Sequence, residues 1–149
     1  MPLVRVGKDC EEQYPEGSRS ATECAVNVIQ LADRVQKAIG RLQRPYDVTP
    51  ASGYALSILS DNDEPMSPNE IADQMILTRA TVTGILDSLE RRKYVTRAPH
   101  PTDRRKLLVT ITDKGRETVR GMRQIIHGHQ RDWFDVLTVE ERQTLLGLV

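Results

Sequence analysis

Apolar residues recur at spacings of three and four from Ala25 through Val28, Ile29, Ala32, Val35, Ile39 and Leu42, the period of one helical face. Pro45 cannot continue that pattern, so it predicts a helix over 20–45. Thr49 followed by Pro50 is an N-cap with proline in the first turn. The helix it opens carries Tyr54, Ala55, Ile58 and Leu59 and stops in Asp61-Asn62-Asp63-Glu64-Pro65. Ser67-Pro68-Asn69-Glu70 is a capping box with proline at the first helical position, starting a short helix through Ile71, Ala72 and Met75. Thr78 can cap a further helix in which Val82, Ile85, Leu86 and Leu89 form one apolar face. Two short helices joined by a tight turn, the second amphipathic, make a helix-turn-helix pattern.

The period then changes. Val95-Thr96-Arg97 leads into a Pro99-His100-Pro101-Thr102-Asp103 turn, and a return strand runs from Lys106 to Ile111. Two strands with a proline-rich, arginine-tipped loop between them predict a wing. Thr112 caps a long helix with Val119, Met122, Ile126, His129 and Trp133 on one side, and Thr138-Val139-Glu140-Glu141 is a second capping box before Leu145 and Leu146. The expected fold is mainly α with a small β-wing, in one compact domain. A flexible arm over 1–19 precedes a winged helix-turn-helix over 46–112. Helices over 20–45 and 113–149 flank it and are read as dimerisation elements, because the outer apolar pattern (Trp133, Phe134, Leu137, Leu145, Leu146) lacks a second layer within the chain.

Composition narrows the classes. The chain has 149 residues, 38% of them apolar and 28% charged, which suits a globular protein with a real core. It contains no apolar run of membrane-spanning length and no apolar segment of a secretory signal near its start. Two cysteines, Cys10 and Cys24, are too few for a disulfide framework, and the expected setting is the cytoplasm. The formal net charge is zero, yet the charge is unevenly placed. Asp9 to Glu23 holds five acids and one base, whereas Arg91 to Lys106 holds seven bases and one acid. A local basic patch on a neutral chain points to a confined contact with phosphates.

On a helical wheel, the face opposite Val82 and Leu86 carries Ala80, Thr83, Gly84, Asp87 and Arg91, with Arg79 and Thr81 on its flanks. Small residues and hydroxyls there permit close approach to base edges in a major groove, and Arg79 is the candidate for a bidentate guanine or phosphate contact. Gly84 is out of place in a helix interior, where it costs roughly 1 kcal/mol relative to alanine. In the loop, Arg104 and Arg105 stand where a wing reaches a minor groove, whose negative potential attracts guanidinium groups. Asp103 beside them is read as the residue that orients an arginine. The full set of expected DNA contacts is Thr78, Arg79, Ala80, Thr81, Thr83, Arg97, Asp103, Arg104, Arg105 and Lys106.

Leu77-Thr78-Arg79-Ala80-Thr81-Val82-Thr83, then Leu89-Glu90-Arg91-Arg92, then Pro101 to Thr112 resemble the MarR family of winged helix-turn-helix transcriptional regulators. The family's wing pattern D-x-R-x-x-x-V-x-[LI]-T falls on Asp103, Arg105, Val109, Ile111 and Thr112. The resemblance implies that Arg105 enters the minor groove and Asp103 orients it. It further implies a homodimer on a pseudo-palindromic double-stranded operator, a repressor's role, and release by a small aromatic or phenolic effector. Candidate effector contacts are Arg41, Tyr46, Tyr54 and His129. His100 stands where the family often has an acid before the wing proline.

Other readings stay open. Cys24 lies where the organic-hydroperoxide-sensing branch of the family keeps its reactive cysteine, which would make the chain a redox-sensing regulator. With Glu23 directly before it and Arg19 nearby, the favoured expectation is a buried, inert thiol. A winged-helix interaction module without DNA binding is the remaining alternative, disfavoured by the wing arginines and the hydroxyl-rich helix face. No glycine-rich phosphate loop, nucleophile elbow or paired carboxylates near a histidine suggest catalysis. His127 and His129 lie two apart on different faces of a helix, so neither a metal site nor a cofactor is expected.

Overall fold

The computed structural model describes residues 3–103 and 106–148. Where the sequence reads as one compact domain, the chain divides into two compact units, one up to Arg41 and one from Leu42 onward. Arg104 and Arg105 lie outside the described residues.

The first unit holds a short helix α1 (Cys10–Gln13) and most of a long helix α2 (Arg19–Gln43). The segment expected as a flexible arm is instead hydrogen-bonded to α2. Val4 N donates to Asn27 Oδ1 at 2.9 Å and Asn27 Nδ2 donates back to Val4 O at 3.0 Å. Val6 N donates to Glu23 Oε1 at 3.0 Å, and Arg19 Nε donates to Val6 O at the same distance. The Val6 amide, then the Arg5 guanidinium, hold the Glu23 carboxyl below the usual carboxylate range. An apolar stripe was the reason to expect α2, yet within its unit it stays open. Val28 is 63% and Ile29 68% exposed.

The second unit begins with a 3₁₀ turn (Arg44–Tyr46) and continues as α3 (Pro50–Asp61), α4 (Pro68–Met75), α5 (Arg79–Arg91), β1 (Val95–Pro99), β2 (Leu107–Ile111), α6 (Asp113–Phe134) and α7 (Val139–Gly147). The helix starts are those that the caps predict. Thr49, Thr78 and Thr112 each accept a backbone N–H three residues on, and both capping boxes close through Ser67 with Glu70 and Thr138 with Glu141. Leu56 of α3, Ile71 of α4, Val82, Leu86 and Leu89 of α5, Val95 of β1, Val109 of β2 and Val119 of α6 are fully buried together. Helix α6 is tied to α3 through Arg123, which donates to Asp61 Oδ2 at 2.6 Å and to Ser57 O at 3.3 Å. Helix α7 buries no side chain in its unit.

The strands pair antiparallel with Val95 opposite Ile111, Arg97 opposite Val109 and Pro99 opposite Leu107. The pairing runs two residues further than Val95-Thr96-Arg97, up to the proline, whose missing donor an edge strand tolerates. Leu107 is exposed, whereas Val109 and Ile111 face the core. On its other side, β2 meets Met66, just before α4. Met66 N donates to Val109 O at 3.0 Å and Val109 N to Met66 O at 2.8 Å.

Candidate nucleic-acid interface

The turn between α4 and α5 is three residues long and folds on its own backbone. Ile76 adopts the left-handed conformation (φ 54°), its N–H reaching Asp73 O, while Leu77 N donates to Ala72 O at 3.1 Å. That pair of bonds is a Schellman closure, normally built on glycine. Thr78 follows at once as the cap of α5, so the exit of one helix is the entry of the next.

Helix α5 packs Val82, Leu86 and Leu89 into the core and turns Arg79, Ala80, Thr81, Thr83, Gly84, Asp87 and Arg91 outward, as the wheel predicts. Its N-terminal turn is a connected hydroxyl surface. The hydroxyls of Thr78 and Thr81 lie 2.8 Å apart, and Thr81 N donates to Thr78 Oγ1 at 3.3 Å. Thr83 Oγ1 donates to Arg79 O at 2.9 Å, so its hydrogen is used within the helix and its methyl and lone pairs face out. At Gly84 a side chain would meet nothing within 4 Å.

Beside the helix stands the hairpin. Its tip closes where His100 N donates to Lys106 O and Lys106 N donates to Asp103 O, each at 2.9 Å. His100 Nδ1 lies 3.3 Å from Thr102 N, which donates to it, and 3.2 Å from the Thr102 hydroxyl. Lys106 is exposed, and its charge adds weakly to the pull that Ser67 exerts in lowering the Glu70 carboxyl. Arg97 does not stand among the outward cations. Its guanidinium lies against α5, with Nη1 2.6 Å from Asp87 Oδ1 and 3.5 Å from Glu90 Oε2.

A MarR family profile matches residues 46–106. The HTH-type transcriptional repressor YetL of Bacillus subtilis (strain 168) is 37% identical over 130 residues, covering 87% of this chain and 76% of that protein. The chain belongs to the MarR family. The HTH-type transcriptional regulator SarZ of Staphylococcus aureus is similar at 30% identity over 69% of each chain. The MarR fold is shared with a MepR–DNA complex from Staphylococcus aureus (TM-score 0.79, 21% identity, 83% of this chain and 90% of that one). It is shared too with a mutant MarR from E. coli complexed with operator DNA (TM-score 0.79, 21% identity, 95% and 96%). These relatives are regulators of transcription, which removes the enzyme alternative.

Of the effector candidates expected of a MarR protein, Arg41 belongs to the first unit, and Tyr46, Tyr54 and His129 to the second. The Tyr46 hydroxyl lies where a side chain on Gly121 of α6 would stand, whereas His129 stacks on Trp133 with ring centroids 6.4 Å apart. Eight residues of α6 separate Gly121 from His129, about 12 Å along the axis. Tyr54 is half exposed at 52%. Cys24 is exposed in its unit, not the buried thiol expected. No group of three or more metal-ligating side chains occurs among the described residues, nor any helix long and apolar enough to cross a membrane.

Sequence reading missed Tyr94. It is buried, donates its hydroxyl to Tyr46 O at 2.8 Å, and carries Lys114 Nζ 4.6 Å above its ring. A lone tyrosine before a strand gives no signal of a partner 48 residues away.

Proposed function

We propose that this MarR-family protein is a homodimeric repressor that reads a pseudo-palindromic DNA operator with α5 in the major groove and the hairpin in the minor groove. The observation that carries the reading is the outward face of α5. It is a capped N-terminal turn of threonines, alanine and glycine with Arg79 at its edge, held rigid from behind by Val82, Leu86 and Leu89. Base contacts fall to Arg79, Thr81 and Thr83, with Thr78 and Ala80 lining the approach. Lys106 is a phosphate contact. Asp103, Arg104 and Arg105 carry the minor-groove role by their resemblance to the family's wing pattern.

A second copy supplies the missing layer. The exposed stripe of α2 in one unit supports this, and so does a groove of about 540 Å³ in the other, lined by Gln130, Arg131, Phe134, Arg142, Leu145 and Leu146. A twofold pair of reading heads then matches half-sites about 10 bp apart.

The test is selection of bound sequences from random duplex DNA at near-physiological salt. The expected product is an inverted repeat with that spacing. Recovery of a single half-site would remove the dimer from the reading, and recovery of no preferred sequence would remove the reading itself.

A further inference from the structure

Arg97 was expected to touch DNA because it is a cation on the wing strand. Its surroundings say otherwise. The side chain is only 17% exposed, and its two terminal nitrogens meet α5 over two turns. Nη1 meets Asp87 and Glu90, and Nη2 donates to Thr83 O at 3.4 Å. Nε is buried with no partner among the described residues, so the guanidinium is aimed by the two carboxylates and not by its own backbone neighbourhood. Asp87 and Glu90 are themselves 53% and 42% exposed, on the helix proposed to enter the major groove. Left unpaired there, two carboxylates would oppose the approach of phosphates over a range set by a Debye length of about 8 Å.

We infer that Arg97 is a positioning residue and not a DNA contact. It straps β1 to α5, fixing the hairpin against the reading helix, and its single positive charge offsets part of the negative charge that Asp87 and Glu90 carry on this helix. The inference rests on the DNA-reading function proposed above and assigns a second, internal duty to one of the cations counted toward it.

The experiment is a double-mutant cycle with two readouts. Arg97→Gln is compared in the native background and in an Asp87→Asn, Glu90→Gln background. Binding to the selected operator is measured against salt, and thermal melting is measured without DNA. In the native background Arg97→Gln is expected to weaken binding at least tenfold, and more at low salt, where the exposed carboxylates are least screened. In the neutralised background the same substitution is expected to cost no more than about threefold, because no carboxylates are left uncompensated. Melting is expected to show the same coupling. A phosphate contact behaves differently, with equal losses in both backgrounds and a slope lower by about 0.9 in both, and that result overturns the inference. Melting without coupling overturns it too, and does so whether or not DNA binds. If the wild-type protein selects no operator while the melting cycle still shows coupling, the DNA reading fails and the strap stands as a structural tie alone.

Discussion

Two glycines in helices show how differently one residue type can be placed. Gly84 on α5 faces open space, with nothing within 4 Å of a would-be side chain. A side chain on Gly115 of α6 would run into Tyr94 O and come within 2.7 Å of Ile111 Cγ1, and that carbonyl is fixed because Thr112 N donates to it. Gly84→Ala is therefore expected to raise stability by about 1 kcal/mol in a denaturant melt while weakening operator binding, since the added methyl stands where the duplex approaches. Higher stability with unchanged affinity would mean that DNA does not come near this position. Gly115→Ala is expected to cost about 1–3 kcal/mol, the usual penalty for overpacking against groups that cannot move. The first glycine is visible in the sequence as an anomaly on an exposed face. The second is not, because its constraint comes from a strand end crossing a helix start. Arg97 follows the same rule: its charge was legible, and the carboxylates facing it from ten and seven residues upstream were not.

Elements were the most legible scale, because their starts are written in local chemistry. A cap and the amide it serves are three residues apart, so Thr49, Ser67, Thr78, Thr112 and Thr138 announce their helices without knowledge of the fold. Ser67→Ala is expected to cost about 1 kcal/mol, read as a lower melting temperature, because Glu70 N loses the hydroxyl it donates to, while the backbone amide of residue 67 keeps its bond to the Glu70 carboxyl. That carboxyl is held below the usual range first by the Ser67 amide, Asp61 by Arg123 and Asp47 by Arg92. A carboxyl whose pKa is lower folded than unfolded contributes stability that is complete above the unfolded value and is lost as pH falls through the folded one. Melting temperature is thus expected to hold near neutrality and to decline below about pH 4. A melting temperature that rose on acidification would contradict these three assignments. The turn into α5 was harder to foresee, since Ile76 and, at the far end, Lys93 adopt left-handed backbone where glycine is usual. Sequence rules reward glycine at such positions and stay silent when another residue is forced there by the backbone bonds around it.

For the whole molecule, the apolar pattern predicted more helix face than each unit can bury. Val28 and Ile29 on α2, and Leu145 and Leu146 on α7, stay open in their respective units. If a second copy covers them, melting temperature should rise with protein concentration, and Leu146→Glu should yield a monomer by sedimentation with operator binding lost. A variant that stayed dimeric would move the interface elsewhere. The sequence revealed that such faces exist because periodicity is a local property. What covers them belongs to contacts between chains, which a single chain's pattern encodes only as surplus.

The bridge between Met66 and Val109 has a mechanical consequence. Strand β2 is stitched to β1 on one side and to the residue before α4 on the other, so the stem of the hairpin contains no hinge. In the proposed DNA-reading role, helix and wing are then presented as one tool, joined through β2. Inserting one base pair between half-sites turns the second by about 35°, and a tool of that kind has no joint with which to follow. In the proposed dimer the twist falls to the duplex or to the seam between two copies, and spacing then becomes as strict a part of the address as the bases themselves.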